Sequence, residues 1–221
     1  PHPRVLVFSK TGGFRHDSIP TGIETIQSLA SEYDLQVTAT EDANVFSKEG
    51  LSHYDVVVFL STTGDILSGN QETAFQEFIE QGGGYVGIHA AADTEYDWPF
   101  YGKTVGAYFK SHPAIQKAKV KVEDRSFAAT YFLPEEWERT DEWYSYRANP
   151  RENVNVLASL DELSYQGGGM GDHPISWWQE VGDGRAFYTG FGHTKESYGE
   201  PNFRKMIGEA IVWAAQGKRP D

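Results

Sequence analysis

Three short apolar runs constrain the fold more than any other feature of the sequence: Arg4–Ser9 (RVLVFS), Asp55–Ser61 (DVVVFLS) and Gly84–His89 (GYVGIH). They are apolar and rich in β-branched residues, and the second is apolar almost throughout. Such runs suit strands covered on both faces. Helical periodicity fills the gaps between them. Ile19, Ile23, Ile26, Ala30 and Tyr33 recur at steps of four, three, four and three, which is one face of an amphipathic helix. Gln71–Gln81 places Ala74, Phe75, Phe78 and Ile79 together, and Gly82-Gly83-Gly84 follows, where glycine supplies a left-handed closing residue. Gln36–Thr40 (QVTAT) reads as a further strand. Strand and helix alternate, so the first half predicts a parallel, doubly wound α/β sheet.

The second half is less regular. Lys117–Glu123 (KAKVKVE) and Asn153–Leu160 (NVNVLASL) alternate as half-exposed strands do. Ile175–Gln179 and Arg185–Thr189 read as a pair around the turn Val181-Gly182-Asp183-Gly184. A final helix is expected over Asn202–Ala215, with Phe203, Ile207, Ala210, Ile211 and Ala214 inward. No internal repeat or low-complexity linker interrupts the chain. Its 221 residues are therefore expected to form a single domain, 1–221, with an elaborated middle segment and a sizeable core.

Composition narrows the partners. The formal net charge is −13 and no basic stripe is visible, which argues against nucleic acid and against anionic membrane surfaces. No apolar run is long enough to cross a bilayer. There are no cysteines, which excludes disulfides, thiolate metal sites and a cysteine nucleophile. The chain opens Pro1-His2-Pro3 without an initiator Met, so a processed or trimmed N-terminus is expected, with removal of an export signal one route to it. A soluble protein is expected, and nothing in the sequence opposes a homo-oligomer.

Histidines carry most of the chemical signal. His16 (KTGGFRHDSIP), His89 (GIHAAADT) and His193 (TGFGHTKESY) each follow an inferred strand, and in a parallel sheet such positions converge on one crevice. Histidine supplies acid–base or metal-ligand chemistry there. A lone strand-end histidine is more often a hydrogen-bonded structural residue; three together favour a shared site. His112 and His173 lie in loops rich in aromatic and acidic residues. A divalent metal, zinc for example, is compatible with the imidazoles and a carboxylate, although no HxxxH or HEXXH pair demands one and no cofactor is required by the sequence.

Lys10-Thr11-Gly12-Gly13 lets backbone approach a ligand but lacks the spacing of a phosphate loop. Arg15 and His16 then stand at the mouth of the first helix, which favours an anionic or hydroxyl-rich ligand. Aromatic residues including Trp98, Tyr101, Trp143 and Tyr144 interleave with Asp93 and Glu142, as on a sugar-binding surface; the alternative is that most of these rings are core. The alanines at 90–92 leave space beside His89, and Asp93 is a candidate to orient its ring.

Four segments resemble the ThuA-like family, named for trehalose utilisation: FSKTGGFRHDSIP, GGGYVGIHAAADTEYDWPFYGKTVGAYFKSHP, TDEWYSY and HPISWWQEVGDGRAFYTGFGHTKESY. The resemblance runs from Arg4 to about Gly217. It implies a flavodoxin-like, mostly parallel open sheet flanked by helices, similar to class I glutamine amidotransferases. In those enzymes a cysteine nucleophile occupies a tight strand-to-helix turn. Here VGIHAAAD matches that turn with His89 in place of the cysteine, so thiol-based glutamine hydrolysis is excluded. FGHTKE is similar to the segment that carries the amidotransferase histidine and acid, which matches His193 and Glu196.

The resemblance also implies a carbohydrate ligand and a role on 3-keto-glycosides such as oxidised trehalose. On that reading His89 is base or electrophile, His193 its acid/base partner, and Asp93 or Glu142 an orienting carboxylate. Lys10, Thr11, Arg15, His16, Trp98, Tyr101, His112, Trp143, Tyr144 and His173 are the expected substrate contacts. A non-catalytic carbohydrate-binding domain is the alternative.

Overall fold

The computed structural model describes residues 2–217. The apolar runs form the centre of one sheet. Strands β1 (Arg4–Phe8), β2 (Gln36–Thr40), β3 (Val56–Leu60) and β4 (Gly84–Ile88) pair in parallel, with Phe8 beside Phe59 and Leu60 beside Ile88. The late strand β11 (Gly184–Thr189) joins β4, also in parallel, with Thr189 opposite Ile88. The block therefore reads β2-β1-β3-β4-β11. Its strands end along one edge, and the loops that leave this edge carry His16, His89 and His193.

Alternate side chains of β3 go to opposite faces, each covered by helices. The ring of Phe59 meets Phe75 of α3 (Gly69–Glu80) and Tyr101 of α4 (Pro99–Val105), at 5.3 and 5.5 Å between centroids. Leu60 lies on the other side against Gly22 of α1 (Ile19–Tyr33), where a Cβ would come within 3.0 Å of Leu60 Cδ2. Helix α5 (Pro201–Ala214) packs beside α1. A short helix, α2 (Lys48–Leu51), precedes β3. Ser68 and Gln71 cap α3 reciprocally, and Gly82 closes it at φ +106° while Gly83 N–H donates to Phe78 O at 2.8 Å.

Beyond β11 the sheet continues antiparallel through β10 (Pro174–Val181), β9 (Asn155–Asp161), β6 (Gln116–Val122) and β7 (Glu136–Asp141). The elaborated middle segment supplies β6, β7 and a separate small pair, β5 (Phe109–Ser111) with β8 (Ser145–Tyr146). Strand β7 (EWERTD) and helix α4 go beyond the elements expected from the sequence. In β7 the inward positions are Trp137, Arg139 and Asp141, so a buried ion pair disguises the usual alternation. Among the described residues no helix is long and apolar enough to cross a membrane.

Candidate active site

The site begins where β4 ends. His89 follows Ile88 directly and adopts φ +52°, a left-handed conformation that costs a non-glycine residue roughly 1–2 kcal/mol. Surrounding hydroxyls hold the turn: Tyr188 donates to His89 O at 2.9 Å and Tyr101 to Ala91 O at 2.6 Å. Ala90, Ala91 and Ala92 are fully buried beneath it. Strain of this kind, over-determined by its neighbours, accompanies functional turns. The His89 ring is itself buried. Its Nδ1–H donates to Gly190 O at 2.7 Å, and Tyr144 stacks on it with centroids 3.9 Å apart. Gly190 follows β11, where a Cβ would come within 2.5 Å of Tyr146 Oη and Ile175 Cδ1.

With Nδ1–H committed to a carbonyl, His89 turns Nε2 towards Glu142 Oε1 at 3.3 Å. His193 Nδ1 lies 3.2 Å from the same oxygen, outside hydrogen-bond alignment, and His112 Nδ1 lies 3.4 Å from Glu142 Oε2. His16 completes the group, its ring edge-on to His89 and His193 at 5.1 and 5.0 Å. One ligand-type atom from each of His16, His89, Glu142 and His193 lies within 4.8 Å of all the others.

The two arms that carry Glu142 and His193 are tied together beneath the site. Asp141, fully buried, accepts from Glu142 N–H (2.9 Å) and His193 N–H (3.1 Å) on one oxygen. Its other oxygen accepts from Gly192 N–H at 2.8 Å and Arg139 Nη1 at 2.7 Å. Arg139 also forks onto Glu200 and crosses the Phe191 ring at 4.4 Å. Burial alone would raise the Asp141 pKa, but the Arg139 charge and the N–H donors hold it below the usual carboxylate value.

Burial and the neighbouring His89 and His193 imidazoles push the His16 pKa down to about 3, so its ring is neutral at physiological pH. Burial and His89 also lower that of His193. Among the described residues, six buried side-chain polar atoms lack an aligned hydrogen-bond partner. Five of them, in Ser9, His16, Ser18, Ser61 and His193, belong to loops leaving the parallel strands or to the residue capping α1. Buried polar atoms of this kind call for a partner beyond the protein's own side chains, an ordered water or a ligand.

The structure brings His16, His89, His112, Glu142, Tyr144 and His193 together, and it leaves other expected contacts elsewhere. Asp93 does not orient His89; it accepts a hydrogen bond from Tyr96, and burial raises its pKa. Gly190 O orients the ring instead. Trp98 packs on Phe75 and Tyr101, and Tyr101 is fully buried against Tyr85, because the α3–α4 layer needs aromatic volume. Trp143 is also fully buried, its Nε1–H donating to Gln116 O at 2.8 Å. His173 is buried and satisfied on both nitrogens, by Glu162 at 2.8 Å and Tyr144 O at 2.7 Å.

Arg15 is paired with Glu41 and donates to Thr11, whose backbone bridges to Thr63; Lys10 is half-buried at the end of β1. Glu196 is exposed, and the acid beside His193 is Glu142, delivered by the end of β7. Arg139 and Asp141 had one legible signal, two charges of opposite sign on the same face of an alternating run.

This arrangement lies on a chain whose residues 4–214 match the family model ThuA, trehalose utilisation. The chain belongs to this family. A ThuA-like protein of Bacteroides uniformis superposes with a TM-score of 0.83 at 25% identity, covering 96% of this chain and 92% of that one. One from Parabacteroides merdae gives 0.82 at 20% identity, over 100% and 92%. A β-galactosidase from Bacillus circulans shares the fold at 0.62 and 13% identity, matching 95% of this ThuA chain and 30% of the larger enzyme. No curated protein matches the chain.

Proposed function

We propose that this ThuA protein is an enzyme acting on keto-glycosides, such as oxidised trehalose-type disaccharides, by histidine and carboxylate acid–base chemistry. The observation that carries the reading is the junction of His89, His193 and Glu142 at the strained end of β4. His89, which donates through Nδ1–H to Gly190 O, turns Nε2 to Glu142 Oε1, 3.3 Å away. A proton shared between an imidazole nitrogen and a carboxylate at this distance is one that the site can exchange with substrate.

A ketone acidifies the C–H bond on the next carbon. A basic group removes that proton, the electrons move into an enolate, and the C–O bond one carbon further on breaks. The leaving oxygen then takes a proton from a second group. His89, His193 and Glu142 supply base and acid for these transfers, while Tyr144 covers the buried side of the His89 ring. His112, with 43% of its side chain exposed, stands on the solvent side, where a sugar enters. Family membership supports the choice of a sugar, and the net charge of −13 suits a neutral substrate over an anionic one. Trp98 and Trp143 pack into the core and offer no ring to a sugar, so a non-catalytic carbohydrate-binding domain would have to rely on Tyr144 and the histidines; sugar binding without turnover is the outcome that favours it.

The test is incubation of the wild type with a 3-keto-disaccharide, followed by NMR. Release of a free sugar is expected, and release should fall about 100- to 10,000-fold in His89→Gln. Substrate left intact by the wild type refutes the reading.

A further inference from the structure

We propose that His16, His89, Glu142 and His193 bind one divalent transition-metal ion, with zinc the best chemical match. The inference rests on the proposed function only for the substrate class: with the ion bound, the lone pairs of His89, His193 and Glu142 would be engaged, and the ion would take over activation of the ketone from a free imidazole. The donor set is three imidazoles and one carboxylate, each offering an atom within 4.8 Å of the rest. In a tetrahedral zinc site with bonds of about 2.1 Å, neighbouring ligand atoms stand roughly 3.4 Å apart. The contacts of Glu142 Oε1 with His89 Nε2 (3.3 Å) and His193 Nδ1 (3.2 Å) already have that spacing. His16 brings the fourth donor atom, within 4.8 Å of the other three.

The hydrogen-bond pattern points the same way. Nδ1 of His193 and Nδ1 of His16 are buried atoms without an aligned partner, and His89 turns Nε2 to a carboxylate oxygen. One cation satisfies these groups together, whereas one proton satisfies a single pair. The supports have the form that metal sites use: a backbone carbonyl fixes the His89 tautomer, and Asp141 anchors the backbone of both Glu142 and His193. Imidazole donors select zinc and its transition-metal neighbours over magnesium or calcium. His112, with 43% of its side chain exposed, marks the side of the cluster that faces solvent. A ketone flanked by a hydroxyl offers two oxygens on adjacent carbons, the pattern such an ion binds when it polarises a carbonyl.

The experiment uses the full chain, stripped with a chelator, dialysed, and titrated with Zn²⁺ by calorimetry and with Co²⁺ by visible absorption. One equivalent of each is expected, with a Co²⁺ spectrum that changes when an imidazole is lost. His16→Gln should weaken binding about 100-fold or more, while His53→Ala, at an exposed position outside the cluster, leaves it unchanged. Sub-stoichiometric binding by the wild type overturns the proposal, as does equal affinity in the two variants. If His16→Gln does not fold, the wild-type Co²⁺ spectrum decides, and one showing only the weak d–d absorption of the hydrated ion overturns it. Ion binding without keto-glycoside turnover upholds the metal site and overturns the sugar reading. Turnover by a protein that refuses the ions upholds the sugar reading and overturns the metal site.

Discussion

Asp141→Asn tests how the site is held. Asp141 receives five donors: Arg139 Nη1 (2.7 Å), Gly192 N (2.8 Å), Glu142 N (2.9 Å), His193 N (3.1 Å) and Ser197 Oγ (3.2 Å). Asparagine keeps the shape but turns one oxygen into an NH₂. If its Oδ1 keeps Glu142 and His193, the NH₂ faces Arg139, Gly192 and Ser197, all of which donate. If the amide flips, it faces Glu142 and His193 N–H instead. Either orientation sets donor against donor and removes the counter-charge from a fully buried guanidinium. Breaking a buried pair by removing one partner costs about 3–5 kcal/mol. Glu200 still holds Arg139, which places the expected loss near the lower end, about 3 kcal/mol. Urea unfolding followed by tryptophan fluorescence measures it, with Asp172→Asn as the exposed-pair control at about 1 kcal/mol or less. A loss below about 1 kcal/mol for Asp141→Asn would falsify the argument that this carboxylate organises the two arms.

Three further outcomes follow from the same geometry. At position 89, where φ is +52°, His89→Gly should be more stable than His89→Ala by about 1 kcal/mol in chemical denaturation, because only glycine adopts this conformation freely; equal stabilities would mean the turn relaxes. Gly192→Ala should destabilise the fold by roughly 1–3 kcal/mol and weaken turnover, since φ there is +106° and a Cβ would come within 2.7 Å of Tyr198 Oη; a crystal structure with His193 unmoved would contradict this. Arg151 holds the Asp172 pKa down to about 2 from 3.8 through two short hydrogen bonds. A depressed carboxylate pKa adds stability above the unfolded value that is lost as pH falls through the folded one. Arg151→Met should therefore flatten the fall in thermal stability between about pH 4 and pH 2, and an unchanged acid limb would refute the pairing.

The parallel half of the fold was legible because its strands are buried on both faces and so appear as unbroken apolar runs, as in β3. The convergence of His16, His89 and His193 followed from the same register, since residues just past parallel strands share an edge. Glu142 was legible as an acid among aromatics, but its delivery to this edge was not, because β7 hides its inward face behind Arg139 and Asp141. The tryptophans misled for a related reason. Trp98 and Trp143 stand next to acids in the sequence, yet their rings turn into the core, and sequence proximity carries no information about which face a side chain takes. Asp93 failed as the partner of His89 because a backbone carbonyl, Gly190 O, arrives from a strand about a hundred residues later. Backbone acceptors leave no trace in residue identity.

The proposed reaction needs His89 and Glu142 to act as one unit on a keto-glycoside. The most direct measurement is a double-mutant cycle of kcat/KM for His89→Gln, Glu142→Gln and the pair, each variant first verified as folded. Groups that act as a unit are strongly non-additive. Each single change should lower kcat/KM by about 100- to 10,000-fold, and the double variant should lie within about tenfold of the worse single one. Losses that multiply in the double variant, or single variants that retain full activity, would contradict the claim.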